Sequence, residues 1–132
     1  MAKKTKKTVI IIDDDVDILQ ATKLTLEHGG YAVETACSGK EGVDRIRRGG
    51  IDLIILDVMM ARPTEGFHIA QELKADGASK AIPTLMTTSV SAKTGFKFDP
   101  KTDGEYLPVE DFVEKPVDPQ DLLARVKRLL AQ

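Results

Sequence analysis

The stretch that decides the fold is Ile51-Asp52-Leu53-Ile54-Ile55-Leu56-Asp57, an apolar run that ends in a carboxylate. An earlier apolar run, Val9-Ile10-Ile11-Ile12, is followed by Asp13-Asp14-Asp15, and a later one, Asp111-Phe112-Val113-Glu114, is followed by Lys115. Short continuous apolar runs are typical of strands that are covered on both faces of a parallel sheet. If the three runs are neighbouring strands, their acids and the lysine meet at the carboxyl edge, where such sheets bind ligands.

Strand-like and helical segments alternate along the chain. The expected strands are Val9–Ile12, Tyr31–Ala36, Leu53–Leu56, Ile82–Thr87 and Val109–Glu114. Asp15, Ser38 and Asp118 are candidate N-caps of helices, and a further helix is expected from about Glu65 to Ala75. The last helix is the clearest, because Pro119 takes its first position and an apolar stripe follows. This alternation predicts an α/β domain with a parallel sheet, helices on both faces and right-handed crossovers.

Composition places the chain among ordinary globular domains. It has 132 residues, of which 42% are hydrophobic and 30% are charged. The net charge of -2 gives no reason to expect nucleic acid or an anionic membrane as a partner. No apolar stretch reaches the roughly 20 residues of a membrane span. We expect residues 1–7 to be a basic, flexible leader and residues 8–132 to form one domain.

The single cysteine, Cys37, excludes an internal disulfide and a zinc site built on cysteines. It suits a reducing cytoplasm. We expect it to be a small buried hydrophobe and not a reactive thiol.

Four motifs at expected strand ends resemble those of the receiver domain of two-component response regulators. They are Ile12-Asp13-Asp14-Asp15, Leu56-Asp57-Val58-Met59-Met60, Met86-Thr87-Thr88-Ser89 and Val113-Glu114-Lys115-Pro116. One motif alone would be weak evidence, whereas four in order form a specific signal that extends from about Thr8 to Leu130. The resemblance implies the flavodoxin-like strand order 2-1-3-4-5 in a three-layer α/β/α sandwich. Because little of the chain lies outside the resembling span, we expect a stand-alone, cytoplasmic phosphoacceptor that catalyses only its own phosphorylation and dephosphorylation.

The resemblance also assigns roles to the acids. Asp57 would accept a phosphoryl group from a phosphohistidine on a sensor histidine kinase or a histidine phosphotransfer protein. Asp14, Asp57 and the backbone carbonyl of Met59 would coordinate Mg²⁺, and Asp13 would hold the ion through water. These residue types suit the chemistry, because aspartate attacks phosphorus as a carboxylate and Mg²⁺ prefers oxygen ligands. The cation would also relieve the repulsion among clustered carboxylates.

Three further residues receive roles from the same resemblance. Thr88 would bond one phosphoryl oxygen and Lys115 would pair with another, so that charge on the transferring group is neutralised. Thr88 would gain its acceptor only after transfer, and its movement, with Phe112 as the switch aromatic, would change the surface offered to a downstream protein.

The loop after Asp57 departs from the family pattern. The family usually has proline four residues beyond the phosphoacceptor, whereas Ala61 stands there and the proline arrives at Pro63. We therefore expect the backbone around Met59 to differ from that of the family more than the positions of the carboxylates do. Met59 and Val90 are apolar and cannot orient an attacking water, so we expect a long-lived phosphorylated form.

The stretch from Ser89 to Pro108 does not read as the helix that the family has between its fourth and fifth strands. Helix-breaking residues recur in it, namely Gly95, Pro100, Gly104 and Pro108. We expect a long loop or an irregular hairpin instead. Its aromatic residues, Phe96, Phe98 and Tyr106, either cover the sheet where the helix is missing or form a mobile apolar lid that binds a partner.

Two rival functions remain open at this point. The first is a pseudo-receiver, an interaction module with the same fold and no phosphorylation. The second is a haloacid-dehalogenase-like phosphatase, whose Asp-x-Asp motif fits Asp13 and Asp15 but requires threonine or valine where Asp17 stands.

Overall fold

A computed structural model describes residues 6–57, 65–75, 77, 81–88, 110–114 and 117–131 of the chain. The strands are β1 (Thr8–Ile12), β2 (Ala32–Ala36), β3 (Leu53–Asp57), β4 (Thr84–Thr88) and β5 (Asp111–Glu114). The helices are α1 (Val16–His28), α2 (Gly39–Arg47), α3 (Glu65–Ala75) and α4 (Pro119–Leu130). The strands are parallel and stand in the order β2-β1-β3-β4-β5. The expected doubly wound α/β fold is therefore confirmed.

Each strand departs from its expected bounds by one or two residues. β1 begins at Thr8 and not at Val9, β3 ends at Asp57 and not at Leu56, β4 ends at Thr88 and not at Thr87, and β5 begins at Asp111 and not at Val109. The fourth strand was expected from Ile82 but begins at Thr84, because Pro83 has no N–H to offer to the sheet. The second strand begins at Ala32, one residue after Tyr31. Residues 1–5 of the expected leader and the whole of 89–109 lie outside the described residues, so the replaced helix, the loop or hairpin, and the lid stay predictions.

Buried strand residues alternate between two cores. Ile10, Ile12 and Ile54 face one core with the apolar residues of α2 and α3. Val9, Ile11 and Ile55 face the other, together with the apolar residues of α1 and α4. The strand side chains are between 0% and 2% exposed, and each such burial stabilises the fold by roughly 1.5–3 kcal/mol. The carboxyl edge of the sheet is thus held by packing on both faces.

The starts of α1, α2 and α4 are capped as the sequence predicts. The Asp15 carboxylate accepts the N–H groups of Asp17 and Ile18, the Ser38 hydroxyl accepts that of Glu41, and the Asp118 carboxylate accepts that of Asp121. Each cap stabilises its helix by about 1 kcal/mol. Because only three residues separate β1 from α1, the cap also positions the acids that lie between the two elements.

Polar contacts hold the amino edge of the sheet. The Thr8 N–H donates to Asp52 Oδ2 at 2.8 Å, which ties the start of β1 to the residue before β3. Glu110 accepts a hydrogen bond from the Thr84 N–H at 2.7 Å and forms an ion pair with Lys74 at 2.8 Å. The first contact links the starts of β1 and β3 and the second links those of β4 and β5, so contacts at this edge align four strand starts.

The side chain of Asp111, the first residue of β5, joins that strand to the last helix. It pairs with Arg125 at 2.9 Å and also with Arg128. Of the helices described, none combines the length and the apolar character needed to cross a bilayer.

Candidate functional site

Three carboxylates meet at the carboxyl edge of the sheet. Ile12 of β1 is in register with Leu56 of β3, so the residues that follow them, Asp13 and Asp57, are neighbours across the two strands. Asp14 completes the group, and one carboxylate oxygen from each of the three acids lies within 4.8 Å of the others. The structure therefore brings together the acids that the sequence placed at separate strand ends.

The three acids differ in exposure and support. Asp13 is 2% exposed and Asp57 is 4% exposed, whereas Asp14 lies at the surface. Asp13 Oδ1 accepts the Asp15 N–H at 2.9 Å, and the Asp13 N–H donates to the carbonyl of Ala36 at 3.1 Å. Like charges held this close repel one another strongly when they are shielded from water. A cation between them would therefore stabilise the arrangement.

The donor set fits a small, hard divalent cation. All three ligands are carboxylate oxygens, the type that Mg²⁺ and Ca²⁺ prefer. Octahedral Mg²⁺ holds its ligands about 2.1 Å away, so opposite oxygens stand about 4.2 Å apart. Adjacent oxygens stand about 3 Å apart, so a bound ion would draw together oxygens that lie up to 4.8 Å from one another. The exposed Asp14 leaves this side open for water and for a further ligand.

Thr87 is a neighbour of the acids to which sequence reasoning gave no separate role. It is in register with Asp57 and is 6% exposed. Leu85 lies two residues before it on the same face of β4 and is fully buried. Alternation along the strand could therefore have predicted that Thr87 is buried beside the acid cluster.

The remaining predicted site residues are placed only in part. Thr88 ends β4 in register with Glu114, and Phe112 lies in β5 in register with Met86, but their side chains are not described. Met59 and Lys115 lie outside the described residues. Their roles stay predictions from the sequence.

The expected burial of Cys37 is wrong. Its side chain is exposed, because the residue lies between the end of β2 and the cap of α2. The thiol donates to Glu41 Oε1 at 3.4 Å, and the same oxygen accepts the Cys37 N–H at 3.0 Å. The hydrogen bond to the Glu41 carboxylate, and that carboxylate's charge, raise the pKa of the Cys37 thiol above its ordinary value.

The pairing of acids that a haloacid-dehalogenase-like site would need is absent from the cluster. Asp15 is exposed and its carboxylate caps α1, whereas the cluster pairs Asp13 with Asp14 and Asp57. The dehalogenase-like reading therefore has no support from the described part of the chain.

Comparisons with known proteins agree on one kind of domain. A family model described as the response regulator receiver domain matches residues 9–127. A probable transcriptional regulator ycf27 of Cyanidium caldarium is 34% identical over 127 residues, which cover 96% of this chain and 47% of that protein. The DNA-binding dual master transcriptional regulator RpaA of Synechocystis is 34% identical over 122 residues, covering 92% and 48% respectively. The chain thus spans about half the length of the curated relatives it matches.

Solved structures give the same result for the fold. A putative response regulator from Chloroflexus aurantiacus superposes with a TM-score of 0.84 at 30% identity, covering 97% of this chain and 100% of that one. The chemotaxis protein CheY4 of Vibrio cholerae superposes with a TM-score of 0.80 at 30% identity, covering 95% and 99%.

Proposed function

The chain belongs to the response regulator receiver domain family, and from that premise we propose that it is the phosphoacceptor of a two-component phosphorelay in which Asp57 takes the phosphoryl group. Receiver domains of this family are signalling modules that interact with histidine kinases or phosphotransfer proteins, so the donor here is a phosphohistidine on such a partner. The observation that carries the proposal is the cluster of Asp13, Asp14 and Asp57 at the carboxyl edge of the sheet.

The position of Asp57 supports its proposed role as the phosphoacceptor. It ends a fully buried strand, where neighbouring strands fix its backbone, and it is 4% exposed. An Asp57 oxygen attacks phosphorus and forms a mixed anhydride. The phosphorus–nitrogen bond to the donor imidazole breaks as the new bond forms, and its electron pair returns to the imidazole nitrogen. Rigid placement of the acceptor contributes the in-line geometry on which phosphoryl transfer depends.

The acid cluster is the place for Mg²⁺. Asp14 and Asp57 would hold the ion directly, Asp13 would hold it through water, and the Met59 carbonyl would add a ligand. When bound, Mg²⁺ neutralises charge on the phosphoryl oxygens. Asp13 is well suited to its part, because the N–H of Asp15 already fixes one of its oxygens at 2.9 Å.

Response to phosphorylation is assigned to Thr88, Lys115 and Phe112. Thr88, the last residue of β4, is in register with Glu114, the last residue of β5. Lys115 is the next residue in the sequence after Glu114. We assign the phosphoryl oxygens to Thr88 and Lys115, and the coupled aromatic switch to Phe112. The altered surface would then bind a downstream protein.

The test is phosphorylation by a small donor. We would incubate wild type, Asp57→Asn and Asp44→Asn with acetyl phosphate and MgCl₂ and measure their intact masses by mass spectrometry. Asp44, an exposed acid of α2 outside the cluster, is the control position. We expect wild type and the control to gain one phosphoryl group and Asp57→Asn to gain none. Labelling of Asp57→Asn to the wild-type level, or no labelling of wild type, would refute the proposal. In the second case, the pseudo-receiver would explain the fold.

A further inference from the structure

A cavity of about 380 Å³ lies against the sheet between α1 and α4. Most of its lining is apolar and comes from several elements, as Ile11, Ile18, Ile55 and Leu122 illustrate. Ligand pockets in proteins occupy about 300–1,000 Å³ and combine apolar walls with a few placed polar groups. This cavity has the size and the lining of such a pocket.

Two buried polar side chains define the chemistry of the cavity. Asp13 and Thr87 both line it and are 2% and 6% exposed. An apolar ligand without a polar group would face a carboxylate and gain nothing from it, whereas an anion would be repelled. A ligand with an apolar body and a positively charged head would pack against the apolar wall and be attracted by the carboxylate, in addition to the contacts that Asp13 already makes.

The cavity can be reached from the surface along α1. Ala21 lines it and is exposed, and Ile18 and Thr22 line it and are half-buried. A ligand could therefore enter past one helix face without separating the strands.

We propose that this cavity binds small amphipathic ammonium compounds, with an aromatic or aliphatic body against Ile11 and Ile55 and the ammonium group beside Asp13. Asp13 also belongs to the acid cluster. A bound ammonium group and Mg²⁺ therefore draw on the same carboxylate, and each lowers the affinity of the other. This antagonism rests on the proposed function, whereas binding of the amine does not.

Tryptamine is a suitable probe, and tryptophol, which carries a hydroxyl in place of the ammonium group, is its neutral counterpart. Both are titrated into ¹⁵N-labelled protein without metal, and amide shifts are followed by NMR. We expect saturable shifts at Ile11, Ile18 and Thr22 with tryptamine, and an affinity for tryptophol at least tenfold lower. Absence of saturable shifts at these residues, or equal affinity for the two compounds, would overturn the proposal.

A cavity-filling variant tests the location. Thr22→Phe places a ring where the ligand body would lie, whereas Gln20→Phe adds the same ring on the exposed side of α1, outside the lining. We expect at least a tenfold loss of tryptamine affinity for Thr22→Phe and no change for Gln20→Phe, provided that both variants give folded amide spectra. Unchanged tryptamine binding by folded Thr22→Phe contradicts the assignment. If Thr22→Phe does not fold, the comparison of tryptamine with tryptophol decides.

Repeating the tryptamine titration in saturating MgCl₂ tests the antagonism. An increase in the apparent Kd supports it. An unchanged Kd, when Mg²⁺ itself shifts the amides near Asp13 and Asp57, refutes it. If Mg²⁺ shifts nothing, the metal part of the proposed function fails, together with the antagonism, and the metal-free titration alone decides whether the cavity binds amines.

Discussion

Asp57, the last residue of β3, is in register with Thr87 of β4, and both side chains are more than nine-tenths buried at the same edge of the sheet. Leu53 and Ile55 precede Asp57 on its face of β3 and lie in the core against α1 and α4. The candidate phosphoacceptor is thus positioned by a packed strand and not by a loop. Sites built on strands hold their geometry more tightly than sites built on loops.

Asp14→Asn should have opposite effects on the metal-free and the Mg²⁺-bound protein. Removing one of three crowded negative charges should raise the metal-free thermal midpoint by about 2 °C. Removing a proposed ligand should weaken Mg²⁺ binding about tenfold or more. Calorimetric titration and thermal unfolding measure the two effects, with Asp44→Asn as the control for lost charge. Unchanged Mg²⁺ affinity would remove Asp14 from the site.

The lifetime of the phosphorylated form should depend on Met59 and Val90. Both are apolar and cannot orient a water molecule for attack on the acyl phosphate. Met59→Asn or Val90→Glu should therefore shorten the half-life by about tenfold or more, since a positioned polar group assists such proton transfers. Decay of the phosphoryl label after removal of the donor measures this, with Leu24→Asn, on the exposed part of α1, as the control. Rapid loss from wild type itself would argue against the prediction.

Gly42→Ala should destabilise the protein although alanine favours helices. A Cβ at this position of α2 would lie 2.4 Å from Ile12 Cδ1 and 2.7 Å from its Cγ1. Ile12 is fully buried among the side chains of the core, so overpacking should outweigh the propensity gain and leave a net loss of about 1–2 kcal/mol. Urea unfolding measures it. Gly77→Ala, with nothing within 4 Å of its Cβ, is the control; an equal effect there would contradict the steric argument.

Alkylation of Cys37 should be accelerated by Glu41→Gln. The Glu41 carboxylate raises the pKa of the thiol, and only the thiolate reacts. Glutamine removes the charge and keeps an acceptor for the Cys37 N–H, so more thiolate should be present at pH 8 and the rate with iodoacetamide should rise about twofold or more. Asp44→Asn, an exposed acid further along α2, controls for the same change in net charge. Slower alkylation of Glu41→Gln would show that the carboxylate does not suppress the thiolate.

The ion pair between Glu34 and Arg45 should make stability depend on pH in the acid range. Arg45 donates to both Glu34 oxygens, at 2.7 and 3.1 Å, and its hydrogen bonds and charge lower the pKa of Glu34 below the ordinary value of 4.5. The contribution is fully present above pH 4.5 and is lost as pH falls through the lower pKa of the folded protein.

Glu34→Gln should therefore be less stable than wild type at pH 7, and the difference between the two should be smaller at pH 3. The Glu34 side chain is 42% exposed, so solvent screening limits the difference at pH 7 to about 0.5 kcal/mol. Urea unfolding of both proteins at the two pH values measures it. A difference that grows as the pH falls would contradict the sign of the effect.

Most of the fold and part of the site could be predicted, for physical reasons that particular residues illustrate. Continuous apolar runs such as Val9–Ile12 arise only where both faces of a strand are covered, and the caps at Asp15, Ser38 and Asp118 have local signatures. The meeting of Asp13 with Asp57 follows from parallel pairing alone. The start of β4 was misjudged because apolar residues before a strand look like part of it.

The exposure of Cys37 and the burial of Thr87 escaped prediction for different reasons. Cys37 lies between β2 and α2, where neither the strand nor the helix pattern of apolar residues predicts burial. Its environment depends on the hydrogen bonds that the Glu41 carboxylate accepts from it. Thr87 lies on the buried face of β4 by strand alternation, but a polar residue is not expected in the core. The cavity beside Asp13 depends on how α1 and α4 pack on the sheet, and no local pattern encodes that distance.

Apolar residues on both faces of β1 leave the strand poorly protected against slippage during folding. A shift by one residue would exchange Ile11 for Ile10 or Ile12 and expose little hydrocarbon, so burial alone barely distinguishes the alternatives. A shift in either direction would, however, break the hydrogen bond from the Thr8 N–H to Asp52. A shift towards the amino edge would also move the Asp13 carboxylate into the hydrophobic core. Asp52 and Asp13, at the two ends of this strand, therefore fix the register of β1 in the sheet. This structural role is separate from any role in signalling.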